Sequence, residues 1–344
     1  MAGLGVPLIL GGDVGGTKAY LGLYRVDGEA LEPVKVERYV STDFAGVAEL
    51  LAHFVEGYGQ QPDRVVIGVP GPVKHTPVKP VNLPWTIDPE QIAKALGVPR
   101  LFLLNDLEAT AYGTLALSDD DVIEINRGEP DPTGGMAIIA AGTGLGEAGL
   151  AWVDGRYVAV PSEGGHASFA PGTEREAELW SWLFSRHGHV SWERVVSGMG
   201  LVNIYEFLRH ETPDDEPEWL RAQLCEPGAG ARVISAAAQQ HSVPLAGEAL
   251  RMFVSLYGAE AGNLALKMLA TGGLYIGGGI APQILDELTE GSFMQAFTEK
   301  GRVSDVLQRI PVRVIKNDDT ALLGAAYFGA RMAQHVTHPN QGKL

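Results

Sequence analysis

Short apolar runs alternate along the chain with longer amphipathic stretches. Residues 6–10, 101–104, 137–141, 157–160 and 274–276 have the length and the residue types of β-strands. Residues 44–58, 89–96, 107–117 and 245–269 are predicted helices. The longest of these carries Leu250, Phe253, Val254, Tyr257, Ala261, Leu264 and Leu269 at near-helical spacing. Strands mixed with crossover helices predict an α/β protein. Residues 211–232 are polar and hold three prolines, which reads as a surface excursion or the edge of a lid. The tail after Gln334 is expected to fray.

The pattern repeats. Gly11-Gly-Asp-Val-Gly-Gly-Thr17 follows the first strand and leads into a second that ends at Asp27-Gly28. About 130 residues later, as the numbering gives directly, Ala141-Gly-Thr-Gly-Leu-Gly146 follows a strand and leads into another that ends at Asp154-Gly155. Gly22-Leu-Tyr-Arg-Val-Asp-Gly28 and Gly149-Leu-Ala-Trp-Val-Asp-Gly155 agree at five of seven positions. Asp-Gly between two strands marks a hairpin turn. The repeat is therefore either chance likeness between glycine-rich strands or a duplicated unit with a glycine loop at a hairpin tip in each half.

Composition narrows the chemistry. The chain has 344 residues, 45% hydrophobic and 20% charged, enough for about two globular domains. Its net charge of −16 repels phosphate backbones, which argues against nucleic acid as a partner. One cysteine, Cys225, excludes an intramolecular disulfide and a cysteine-cluster zinc site, and points to the cytoplasm. No positive residue precedes the apolar run at the start, so it does not read as a signal peptide. The uncharged stretch 268–285 holds five glycines and a proline, a poor membrane span.

Two familiar motifs almost match and fail. Gly11 to Thr17 has the glycine spacing of a P-loop, but Thr17-Lys18 reverses the required order and a strand follows where a helix should open. Gly144-Leu-Gly-Glu-Ala-Gly149 fits the dinucleotide fingerprint by letter. Strand, turn and strand again follow it, so a nicotinamide site is the losing alternative. What remains is a pair of Gly/Thr hairpin tips whose amides and hydroxyls can meet phosphate oxygens: Gly15, Gly16 and Thr17 in one, Gly142, Thr143 and Gly144 in the other. Asp13 repels phosphate, so it is either a turn residue or the partner of a divalent cation through its water shell.

Polar candidates cluster elsewhere too. Asn105-Asp106 follows a strand and opens a helix, where Asp106 is either a helix cap or a carboxylate at the ligand-binding end of a sheet. Glu163 and His166 flank a bare glycine pair, and Glu193 lies at what reads as a helix start. A His166/His187/His189 metal site lacks the spacing that makes zinc credible.

Taken together and in order, Gly11-Gly-Asp-Val-Gly-Gly-Thr17, Leu104-Asn-Asp106, Ala141-Gly-Thr-Gly-Leu-Gly146, Ser162-Glu-Gly-Gly-His166, His189-Val-Ser-Trp-Glu-Arg-Val-Val-Ser-Gly198 and Gly277-Gly-Gly279 closely resemble the bacterial glucokinases of the actin-like ATPase, or hexokinase, superfamily. The resemblance runs from about residue 8 to residue 329. It implies a two-domain α/β fold of ribonuclease H-like type: a small domain of residues 1–112 plus 318–344, a large domain of 113–317, and a cleft for glucose and Mg-ATP. It implies a homodimer that phosphorylates D-glucose at the 6-hydroxyl. By the same resemblance Asp106 matches the catalytic base, and Asn105, Asp106, Glu163, His166 and Glu193 match sugar-contacting positions. Asp13, Gly15, Gly16, Thr17, Gly142, Thr143 and Gly144 match the phosphate loops. Gly277, Gly278 and Gly279 match the wall under the adenosine, and Asp13 would meet Mg²⁺ through water. The segment from Asn317 to Ala326 resembles the closing helix that returns to the first domain. A related kinase for another hexose or another phosphoryl donor would share these motifs, and a non-catalytic sugar sensor is the third possibility. The cysteine-rich zinc motif of the sister repressor–kinase branch is missing. Lys18 and Glu147 depart from the usual pattern.

Overall fold

The computed structural model describes residues 6–28, 30–80, 83, 85–212, 216–226, 230–241 and 243–336. Its strands are β1 (Leu8–Val14), β2 (Lys18–Asp27), β3 (Ala30–Val40), β4 (Arg64–Val69), β5 (Leu101–Asn105), β6 (Val122–Asn126), β7 (Met136–Ala141), β8 (Leu145–Val153), β9 (Arg156–Ser162), β10 (Gly273–Gly277) and β11 (Val312–Ile315). Its helices are α1 (Val47–Val55), α2 (Pro89–Leu96), α3 (Asp106–Gly113), α4 (Glu174–His187), α5 (Gly198–Glu211), α6 (Glu218–Leu224), α7 (Gly230–Gln239), α8 (Pro244–Met268), α9 (Leu285–Thr289), α10 (Ser292–Thr298), α11 (Ser304–Gln308) and α12 (Thr320–Val336). Contacts divide the chain into two compact units, Met1–Asp121 with Asn317–Leu344, and Val122–Lys316.

The first unit holds a sheet in the order β3-β2-β1-β4-β5. β1 pairs antiparallel with β2 and parallel with β4, and β4 pairs parallel with β5. Leu8, Leu10, Leu21, Val65 and Ile67 pack with Leu50, Leu51 and Phe54 of α1 in one core cluster. Each such side chain removed from water is worth about 1.5–3 kcal/mol. α2 is legible from its ends: Asp88 accepts hydrogen bonds from the amides of Glu90 and Gln91, Pro89 opens the first turn, and Gly97 closes it at φ 68°. α3 and α12 lie unusually close. A Cβ on Gly324 would overlap the Ala109 carbonyl, and one on Gly113 would overlap that of Thr320. This contact seats α3, and with it the end of β5, against the sheet.

The second unit holds the order β6-β11-β10-β7-β8-β9. Read from β9, its antiparallel β9-β8-β7 followed by parallel β10 and β11 repeats β3-β2-β1-β4-β5 strand for strand. The sequence repeat is thus a repeat of topology. β8 turns into β9 through Asp154 at φ 49° and Gly155 at φ 79°, the two positive values an Asp-Gly hairpin turn needs. α8 is buried along its length, with Leu250, Phe253, Tyr257 and Leu264 in one cluster with Phe293 and Phe297 of α10. Its polar side is narrow, with Glu248, Arg251 and Lys267 exposed, and the wide apolar face belongs in the core.

Three expectations change. Residues 211–232 are not one irregular excursion: α6 and the start of α7 lie there, while 213–215 and 227–229 fall outside the described residues. Leu220 and Ile234, both buried, anchor these helices, a signal masked by the surrounding prolines and charges. The helix after β5 ends at Gly113 and is followed by a short 3₁₀ turn, Thr114–Ala116, because Gly113 must meet Thr320 closely. Glu193 sits in a single 3₁₀ turn, Trp192–Arg194, and the next helix begins only at Gly198, where Ser197 caps it. The expected fraying after Gln334 lies mainly outside the described residues, since α12 runs to Val336.

Candidate functional site

In the first unit the candidates gather at the carboxyl ends of parallel strands. Asp13 of β1 lies beside Gly68 of β4, and Asn105 ends β5 beside Val69. Having no side chain, Gly68 leaves room for the α3 start, and a Cβ placed there would sit 3.9 Å from the Asp106 Cα. Ligands bind at this end of open α/β sheets.

The question of the cap is answered by the local geometry. Asn105 caps α3: its Oδ1 accepts from the amides of Leu107 and Glu108, and Glu108 Oε2 accepts from the Asn105 amide at 2.9 Å, closing a capping box. Asn105 Nδ2 also donates to the Gly71 carbonyl at 3.2 Å. Asp106 occupies the first helical position, with Oδ1 accepting from the Leu107 amide at 2.9 Å. Burial and the nearby carboxylates of Asp106 and Asp319 push the Asp13 carboxyl up to about 6.

The loop Gly15-Gly16-Thr17 spans the tip of the β1–β2 hairpin. The Gly15 amide donates to the Lys18 carbonyl at 2.9 Å, Ser41 Oγ donates to the Gly15 carbonyl at 2.8 Å, and the Ser41 amide donates to the Thr17 carbonyl at 3.1 Å. The exposed Lys18 side chain has no structural explanation.

In the second unit the equivalent tip, Gly142-Thr143-Gly144, joins β7 to β8. It abuts the glycine run after β10. Gly278 takes φ 82°, and a Cβ on it would overlap the Ala141 carbonyl, so only glycine permits the approach. Tyr257, buried in α8, ties the two runs together: its hydroxyl accepts from the Ala141 amide at 3.2 Å and donates to the Gly277 carbonyl at 3.4 Å. Open space lies over Gly142 and Gly279, where a Cβ would meet no protein atom within 4 Å. Two bare, adjoining loops form a cradle suited to a phosphorylated ligand.

Beside this cradle stands the acidic and histidine cluster. Glu163 precedes the 3₁₀ turn Gly164–His166, and the His166 amide donates to the Glu163 carbonyl at 3.0 Å. Glu193 Oε1 lies 3.9 Å from His166 Nδ1, while its Oε2 accepts from the Leu145 amide at 3.1 Å. His189 Nε2 is 3.1 Å from the His166 carbonyl oxygen, a structural contact. His187 joins no metal set, and among the described residues no cluster of His, Cys, Asp or Glu is arranged to hold a metal. Asp13, Gly15, Gly16, Thr17, Asn105 and Asp106 therefore converge in one unit, and Gly142–Gly144, Gly277–Gly279, Glu163, His166 and Glu193 in the other.

A glucokinase family model matches residues 10–332. The chain belongs to the glucokinase family. It is similar to the glucokinase of Nostoc punctiforme, 40% identical over 342 residues that cover 94% of this chain and 99% of that protein. A solved glucokinase from an Antarctic psychrotroph superposes with a TM-score of 0.84 at 30% identity, covering 93% of this chain and 98% of that one. The repressor–kinase-branch glucokinase of Streptomyces griseus, solved with glucose and AMPPNP, shares the fold with a TM-score of 0.61 at 22% identity, covering 94% and 99%. The actin-like ATPase fold expected from the sequence is the fold of this glucokinase-family chain.

Sequence reading missed four contributors. Asp319 reaches the Asp13 group from the far end of the chain, where the acidic Asn317-Asp-Asp run before a helix was the available signal. Ser41 braces the first loop. Tyr257 fits the apolar spacing of α8, yet a buried tyrosine hydroxyl needs a partner, which here is the pair of glycine runs. Glu260 is hidden in the same way, a fully buried carboxyl inside the apolar pattern of α8 that accepts from Lys267.

Proposed function

We propose that this glucokinase-family chain transfers the γ-phosphoryl group of ATP to the 6-hydroxyl of D-glucose, giving glucose 6-phosphate and ADP. The observation that carries the reading is that Asn105 performs the capping of α3. The carboxylate of Asp106, on the first residue of that helix, stands at the ligand end of the sheet.

A sugar hydroxyl is a weak nucleophile, and a positioned carboxylate that accepts its proton contributes roughly 10²–10⁴-fold. Asp106 accepts that proton as the sugar oxygen attacks the γ-phosphorus and the bond from phosphorus to the leaving ADP oxygen breaks. Asn105, Glu163, His166 and Glu193 bond the ring hydroxyls and orient the sugar. A site of several polar partners can reject a sugar lacking one by ~10⁴–10⁵. The amides of Gly15–Thr17 and Gly142–Gly144 hold the phosphates, and Gly277–Gly279 flank the nucleoside.

The Asp13 carboxyl, crowded by two more carboxylates, is a fitting partner for Mg²⁺ held through water. Mg²⁺ there would neutralise charge spreading over the phosphates. The family resemblance also supports a cytoplasmic homodimer. Among the described residues no helix is long and apolar enough to cross a membrane.

The test is purified protein with Mg²⁺, a panel of hexoses and a panel of donors, assayed for sugar 6-phosphate. Glucose 6-phosphate formed from ATP is expected. Product only from another hexose would overturn the substrate, and none from any pair would leave a sugar-binding protein.

A further inference from the structure

Glu147 is the residue whose place in the glycine motif had no explanation. It lies on β8 opposite Ser162 of β9, 1% exposed, with both carboxyl oxygens buried and out of reach of every hydrogen-bond donor among the described residues. A buried carboxyl without donors is costly unless it is itself the donor. Its Oε2 fills the space beside Gly164 so closely that a Cβ on that residue would overlap it. Ser162 Oγ, in the same pocket of backbone, accepts from the Gly164 amide at 2.9 Å. Gly164 begins the turn that carries His166 and directly follows Glu163.

On its other side Glu147 faces Glu260 of α8, which is fully buried and accepts from Asn263 Nδ2 at 2.8 Å and Lys267 Nζ at 3.2 Å. These two donors leave the proton of the carboxyl pair on Glu147, which donates it to Glu260. Burial and the neighbouring Glu260 charge push the Glu147 carboxyl far above the ordinary carboxylate range, to about 8, against a weaker opposing pull from Lys267.

We propose that Glu147 is a positioning residue for the sugar-binding turn, a neutral acid wedged between Gly164 and Glu260 whose loss of a proton loosens the Glu163–His166 turn and weakens sugar binding at alkaline pH. The inference rests on the reading of that turn as the sugar-binding one. The groups facing Glu147 are few. α8 presents Glu260 and Lys267, with Lys300 acting on the same Glu260 from its own segment, and the turn presents the uncharged Gly164 and Ser162. An ionised Glu147 would therefore repel Glu260, and with the proton gone the hydrogen bond between them is lost.

The experiment compares the wild type with Glu147→Gln, which keeps the shape and a donor but cannot ionise. Glucose KM and kcat are followed from pH 6 to 9.5, and thermal midpoints from pH 5 to 9. Expected is a wild-type glucose KM that climbs about five-fold or more above pH 8, as loss of one bond would give. The Glu147→Gln KM stays flat, the two kcat profiles coincide, and the midpoint of Glu147→Gln gains on the wild type as pH rises. Glu260→Gln, which removes the charge that holds the proton in place, should move the KM rise to lower pH. Coincident KM profiles for wild type and Glu147→Gln would overturn the inference, as would a difference confined to kcat. If the midpoints diverge with pH but no hexose is phosphorylated, the buried acid stands and the sugar assignment of the turn falls instead.

Discussion

Glu193 accepts a hydrogen bond from the backbone amide of Leu145 while its second oxygen lies 3.9 Å from His166 Nδ1. One carboxylate thereby fixes the end of the second glycine loop and stands beside the histidine of the Gly164–His166 turn. Glu193→Ala should raise KM for both glucose and ATP, because a half-buried amide loses its acceptor at about 1–3 kcal/mol. Glu193→Gln keeps an acceptor for Leu145, so its ATP KM should stay near wild type while its glucose KM rises. Steady-state kinetics with each substrate varied in turn separate the two effects.

Asn105 and Asp106 are neighbours with different duties, and their substitutions should part accordingly. Asn105→Ala removes a capping box and the contact to Gly71, and should cost about 1–2 kcal/mol of stability. Asp106→Ala should melt close to the wild type and lose roughly 10²–10⁴-fold in kcat while still binding glucose. Thermal melts, turnover and equilibrium sugar binding measured on both variants decide it. An Asp106→Ala protein that unfolds yet keeps its activity per folded molecule would return Asp106 to a structural role.

With Asp13 in the proposed nucleotide site, its raised carboxyl should make nucleotide binding sensitive to acid. Its value in the fold, about 6, exceeds the ordinary 3.8, so the protonated form is the one the fold prefers. The stability it contributes is full below pH 3.8 and is lost as pH rises through 6. Mg-nucleotide affinity should therefore weaken by about tenfold per pH unit below 6. Asp13→Asn should flatten that profile and raise the thermal midpoint of the ligand-free protein at pH 7 to 8. Calorimetric titrations between pH 5 and 8 provide the check.

Tyr257 offers a test of the proposed nucleotide cradle from behind. Its hydroxyl joins Ala141 to Gly277, so Tyr257→Phe leaves both loops in contact but untied. The expected cost is about 1–2 kcal/mol of stability with a raised ATP KM and an unchanged glucose KM. Equal changes in the two KM values would mean that the hydroxyl supports the whole unit rather than the cradle.

The sequence by itself determined the elements whose cause is local. Hairpins follow from Asp-Gly pairs, α2 from its Asp88 cap, Pro89 and Gly97, and the bare hairpin tips from glycine and threonine that no regular element would choose. The repeat in residues 22–28 and 149–155 announced two similar halves because the same turn and pleat recur. Even so it reached only the hairpin, since the parallel strands β4, β5, β10 and β11 share pairing and not residues. Tertiary structure decided whatever depends on distant chain meeting in space. It brought Asp319 to Asp13 across most of the chain, set Tyr257 behind two glycine runs, and placed Glu260 against Glu147. Spacing along a chain cannot reveal these, because a buried carboxyl or hydroxyl takes its protonation and its partners from whatever the fold packs around it.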